Sequence, residues 1–234
     1  MEDQKQDESK KFLNIEGAPG ESIFRRPISF LLTPSEGKFY EAVFQKELEE
    51  YWAHYKELED ERAVVVVGSL CVEDCLDKMI EAIFPRSKEL LENKDFSLSL
   101  KIDLIQAYKI IPNRILNDCD TIRQMRNDFA HELNIKTFDD WEISVSEKNE
   151  NRKDGERKRK NFKNGIDQSL RIYDSDYDLS LSCRKRFEYF VGVVTIALVI
   201  YTTHVQAMRK FIDSQDFGKA LVEFSKRNYH ETQG

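Results

Sequence analysis

Thr121-Ile-Arg-Gln-Met-Arg-Asn-Asp-Phe-Ala-His131, the second half of a run that begins at Asn113, is the stretch that decides how this chain folds and where chemistry could lie. Wound at about 100° per residue from Asn113, it gathers Ile115, Cys119, Ile122, Met125 and Phe129 on one arc, the buried stripe of an amphipathic helix. Arg126 falls inside that arc, while Arg123, Asn127 and His131 form a neighbouring i, i+4, i+8 row. A guanidinium aimed at apolar surroundings is costly unless an anion meets it. Two readings follow. Either Glu73, Asp74 or Asp103 supplies a buried partner and His131 merely ends the helix, or Arg126 and His131 share a site. On one straight helix the two stand roughly 140° apart, so sharing requires a frayed helix end or a second subunit.

Outward from this helix, periodicity continues to favour helices. Tyr40, Val43, Phe44, Leu48, Tyr51, Trp52 and Tyr55 predict an amphipathic helix over Glu36 to Leu58. Val64 to Val67 has strand-like content, yet it runs without a turn signal into Leu70, Val72, Leu76, Met79, Ile80 and Ile83, so helix is expected up to Pro85. A short helix is expected over Leu98 to Ile111, stopped by Pro112, with Asn113 as cap of the next. Beyond His131 the period changes. Trp141, Ile143 and Val145 alternate with polar residues, and Ile166, Leu170 and Ile172 follow, which predicts a small β-hairpin within 141–174. Its connection, 147–164, carries eight basic and four acidic residues and is expected to be a mobile loop.

The last element, Arg184 to Ile212, has no Asp, Glu, Lys or Arg from Tyr189 to Met208, long enough to raise a membrane span. Its threonines, His204, Gln206 and Gly192 favour the centre of a bundle instead. The expectation is an all-α chain without membrane insertion: an extended or disordered segment 1–29, one helical domain 30–213 and a tail 214–234.

Composition narrows the function classes. A net charge of -7 and a pI near 5.3 argue against a dedicated duplex-DNA binder. The four cysteines lack zinc spacing, and His54, His204 and His230 stand without a second histidine at ligand spacing, so no metal site or cofactor is expected. No glycine-rich phosphate loop or nucleophile elbow is present in the sequence. The N-terminal residues hold no apolar signal region, which gives a cytoplasmic expectation. Arg157, Lys158, Arg159 and Lys160, in the basic run, and Arg123, beside the motif, are the weak candidates for contact with RNA phosphates.

Glu61-Arg-Ala, the apolar segment with Ser69, Glu73 and Asp74, Phe96-Ser-Leu-Ser-Leu-Lys-Ile-Asp103, Ile122 to His131 and Phe138-Asp-Asp140 together resemble, in order and spacing, the mannitol operon repressor family, itself similar to the HEPN superfamily of helical domains. The resemblance covers roughly residues 58–140 and, more weakly, the final helix. It departs from the family in its N-terminal extension and in the charged insertion after Trp141. In many HEPN members an arginine, four to six residues and a histidine mark a metal-independent ribonuclease site in a dimer cleft, often with a polar residue after the arginine. The resemblance therefore implies a HEPN-like homodimer in which Arg126, Asn127 and His131 cut RNA, free or held by a protein partner as in toxin or defence systems. The alternative it carries is a non-catalytic regulator of the mannitol repressor kind.

Overall fold

The computed structural model describes residues 53, 55, 57–151 and 160–213. The expected segment 1–29, most of the helix expected over Glu36 to Leu58, the basic residues Arg157, Lys158 and Arg159, and the tail 214–234 lie outside the described residues. Everything regular in them is helical: α1 (Glu61–Ile83), α2 (Lys88–Leu91), α3 (Leu98–Tyr108), α4 (Asn113–His131), α5 (Phe138–Glu150), a π-helical turn (Phe162–Ile166), α6 (Asp167–Tyr173) and α7 (Cys183–Ile212).

The valine run opens α1 because Asp60 caps it, its carboxylate accepting the Arg62 backbone N–H at 2.9 Å. Val64, Val65, Val72, Leu76, Met79 and Ile80 are then fully buried. Most of that surface meets α7, the principal partner of α1; α4 packs against both, and α3 closes over α1 and α4. Every residue from Tyr189 to Ile200 of α7 is buried. The helix is long and apolar enough to cross a membrane, yet 67% of its most apolar window is covered by the rest of the fold. Two of its threonines are accommodated locally. Thr202 and Thr203 donate to the carbonyls of Leu198 and Val199 at 2.8 and 2.9 Å, which leaves the apolar faces free to pack.

Three sequence expectations are corrected. Among the described residues there is no strand, and the expected hairpin is helix α5, the π-helical turn and α6. Thr137 and Asp140 form a reciprocal capping box that starts α5, and Phe138, Trp141 and Val145 are its buried stripe at helical spacing. The alternation of Trp141, Ile143 and Val145 was accidental, since Ile143 is 60% exposed. Likewise Ile166 and Leu170 are buried one helical turn apart, with Ile172 outside. The stretch 147–150, expected as loop, continues α5. Finally, α3 ends at Tyr108 on a left-handed Lys109 (φ 55°), and Pro112, not Asn113, is the residue before α4.

At the N-terminal end of α7, Arg186 binds Asp167 through Nη1 at 2.8 and 2.7 Å and lies over the Phe162 ring. Phe129, Phe138, Phe162, Phe187 and Trp141 meet there edge to face or tilted. Close approach of α1 to α7 depends on Gly68. A β-carbon there would lie 3.2 Å from Phe187, 3.3 Å from Val191 and 2.3 Å from the Tyr55 hydroxyl. Gly68→Ala is expected to destabilise the fold by about 1–3 kcal/mol through overpacking, read as a lower denaturant midpoint with unchanged slope. An unchanged midpoint would show that α1 and α7 pack less closely.

Candidate functional site

The motif lies wholly on α4, whose hydrogen-bonded ladder runs through His131 and ends where the Glu132 N–H reaches the Asp128 carbonyl at 2.9 Å. The helix is not frayed at the motif. Arg126 and His131 therefore stand about 140° apart on a continuous cylinder, and their side chains cannot meet within one protomer's α4. Arg126 is half-buried and donates from Nη1 to Asn127 Oδ1 at 3.1 Å. Asn127 is also half-buried, and His131 is exposed in the last turn.

The acids expected to neutralise Arg126 are elsewhere. Glu73 takes the Lys101 ammonium at 2.8 Å, with Asp77 on its other side. Asp74 pairs with Lys78 at 3.0 Å on the exposed flank of α1, and Asp103 is exposed on α3. Among the described residues no carboxylate lies within ion-pair distance of Arg126. Glu73, Asp74 and Asp103 are therefore not the partners of Arg126.

Two carboxylates on α4 that sequence reasoning passed over do the structural work. Asp128, inside the motif, is 5% exposed; it accepts the Trp141 indole N–H at 3.0 Å and has the Lys148 ammonium 3.6 Å away. Lys148 also binds Glu132, which accepts the Ser144 hydroxyl at 3.3 Å. From α1, Arg62 donates to the Ile135 and Glu132 carbonyls at 2.6 and 3.3 Å, and Glu61 accepts the Phe138 N–H at 2.7 Å. The Glu61-Arg62 pair thus holds the turn after His131, fixing the helix end that presents it. One sequence signal pointed here: a buried tryptophan needs an acceptor for its only N–H.

Asp118, 1% exposed, accepts the hydroxyls of Ser169 at 2.7 Å and Tyr173 at 2.8 Å, and Arg114 lies 4.2 Å over the Tyr173 ring. Burial pushes the Asp118 carboxyl above its ordinary range, against the pull of the two hydroxyls and of the Lys160 and Arg114 charges. Lys160 lies against the π-helical turn, where a β-carbon on Gly165 would come 2.9 Å from the Lys160 β-carbon. Of the two weak phosphate candidates among the described residues, Arg123 shares the face of Asn127 and His131. Among the described residues no three His, Cys, Asp or Glu side chains are grouped as a metal cage.

Because the folded-state pKa of Asp118 is raised, the native state holds a proton that the unfolded chain has lost between the ordinary value of 3.8 and the raised one. Stability contributed by that proton is present at low pH and lost as pH rises through the window. The Tm of wild type minus that of Asp118→Asn is therefore expected to rise as pH is lowered from 7 towards 4. A difference that falls instead would show that the two hydroxyl bonds outweigh burial.

No family model, no curated protein and no solved structure matches this chain.

Proposed function

We propose that this chain is a HEPN-like, cytoplasmic, dimeric RNA-binding protein that cleaves RNA without a metal, with Arg126, Asn127 and His131 as the catalytic residues. The observation that carries the reading is that Arg126 is held by Asn127 and by no carboxylate among the described residues, so its charge remains available to an anion. His131 takes the proton of the ribose 2′-hydroxyl as that oxygen attacks the adjacent phosphorus, and Arg126 stabilises the charge on the phosphorane. The P–O5′ bond breaks, the leaving 5′-oxygen gains a proton, and a 2′,3′-cyclic phosphate remains. Asn127 acts as the hinge of this set, since it fixes the arginine through Oδ1 and keeps its N–H donors for substrate or for a partner's histidine. The 140° between Arg126 and His131 is met by drawing the two from different protomers.

The non-catalytic regulator is favoured by a different observation. Leu133, 82% exposed two residues after His131, together with the net charge of -7, suits a protein contact at this helix end better than a polyanion.

Purified protein is expected to cut single-stranded RNA and to leave its 2′-deoxy analogue intact, because the nucleophile is then missing. His131→Ala should lower the rate by about 10²- to 10⁴-fold, the usual contribution of a general base, without changing the melting temperature. Arg126→Ala should also abolish cutting with little loss of stability, since no buried acid is orphaned. Equal cleavage of both polymers, or none above the His131→Ala background, would overturn the nuclease and leave the regulator.

A further inference from the structure

His131 ends α4 between two carboxylates, and one lysine from another helix holds both of them. Asp128 stands one turn earlier, a spacing that brings β-carbons within about 5–6 Å of each other, and Glu132 follows His131 directly. The Lys148 ammonium, from the last turn of α5, binds the Glu132 carboxylate and lies 3.6 Å from Asp128 Oδ1. Neither acid is free to swing away. Asp128 Oδ2 is fixed by the Trp141 indole N–H at 3.0 Å and Glu132 Oε2 by the Ser144 hydroxyl at 3.3 Å, both again from α5.

The other charged groups at this helix end are engaged with backbone. Glu61 and Arg62 of α1 take the Phe138 N–H and the carbonyls of Glu132 and Ile135. On α5, Asp140 accepts the Lys136 and Thr137 N–H groups and Glu142 accepts the Phe162 N–H, while the Lys136 side chain is exposed in the turn. The field beside His131 is therefore set first by Asp128, Glu132 and Lys148. A nearby anion favours the imidazolium and a nearby cation disfavours it, and a general base has to be neutral at the pH at which it works. With Lys148 the cluster carries one net negative charge. Without it the cluster carries two.

Resting on the nuclease reading above, we propose that Lys148 is the positioning residue of His131: by holding Asp128 and Glu132 on its ammonium it fixes the end of α4 and offsets the negative charge that would otherwise keep a proton on the imidazole. Lys148 touches no reacting atom. It acts through the two acids, from a helix that does not carry the motif.

The test follows the His131 imidazole by NMR across pH in the full chain with isotope-labelled histidine, its signal identified by its absence from His131→Ala, and measures RNA cutting over the same pH range. Lys148→Met is expected to raise the midpoint of the His131 titration by about 0.5–1 pH unit, the effect of one charge roughly 7 Å away in a largely solvated setting. Glu132→Gln should lower the midpoint, and Lys148→Arg, which keeps the charge, should stay at the wild-type value. Cutting by Lys148→Met should fall about 3- to 10-fold further on the acid limb of its profile than on the alkaline plateau, whereas loss of structure would lower both alike. Midpoints that do not move, or that move the same way in Lys148→Met and Glu132→Gln, overturn this proposal and leave the nuclease in place, as does an acid limb that ignores the shift. No cutting above the His131→Ala background overturns the nuclease and this role with it; the titration needs no RNA, so the two failures are told apart.

Discussion

A helix apolar on all sides has to be surrounded, and the other elements of this chain are arranged to surround α7. Burial from Tyr189 to Ile200 is continuous, and the cover comes from α1 along most of its length, from α4, and from the π-helical turn and α6 at the N-terminal end. Gly68 sets how closely the largest of these contacts can form. The bidentate Asp167 contact to Arg186 ties the short helices to the start of α7 at low exposure, with Arg186 stacked on Phe162. Thr202 and Thr203 bond to carbonyls of α7 itself, while the buried Thr195 hydroxyl has no hydrogen-bond partner among the described residues.

Helix α4 is a wall of that enclosure, and this gives it two unlike faces. Its inner face carries Ile122, Met125 and Phe129 into the core, and the two buried aspartates sew its flanks to neighbours: Asp118 to α6, Asp128 to α5. The outer face is left with amides, Arg123 and His131. Rigidity on three sides is what makes the outer row usable, because a side chain can hold a rotamer only if its backbone does not move. The same rigidity keeps Arg126 and His131 apart. Their separation is a property of an unbroken helix, not of a loosely folded end, and a chemical role for both together therefore asks for a second copy.

Much of the fold was legible because core helices announce themselves by period: α1, α3, α4 and α7 follow from the spacing of their apolar residues, and the β-branched run Val64–Val67 was rightly absorbed into a longer helical window. The hairpin failed because three residues at alternate positions satisfy both periods, and only burial shows that Ile143 faces out while Phe138 belongs to the stripe. The capping box at Thr137 and Asp140 was the stronger local signal. For the site, the helical phase of Arg126, Asn127 and His131 was readable, since it needs only one helix. Which acid meets which base was not. Glu73 was a fair partner for Arg126 until Lys101, drawn from a different helix, occupied it. The roles of Asp118 and Asp128 depend in the same way on neighbours from other elements that spacing does not disclose.

The central claim, that one site is built from Arg126 of one protomer and His131 of the other, is tested most directly by complementation. Arg126→Ala and His131→Ala proteins, each inactive alone, are mixed under conditions that exchange subunits, and RNA cutting is measured. In a two-fold dimer each mixed pair regains one intact site, so an equimolar mixture should recover about a quarter of wild-type activity. A mixture that stays as inactive as its components, while mixed dimers are shown to form, would contradict a site shared between subunits.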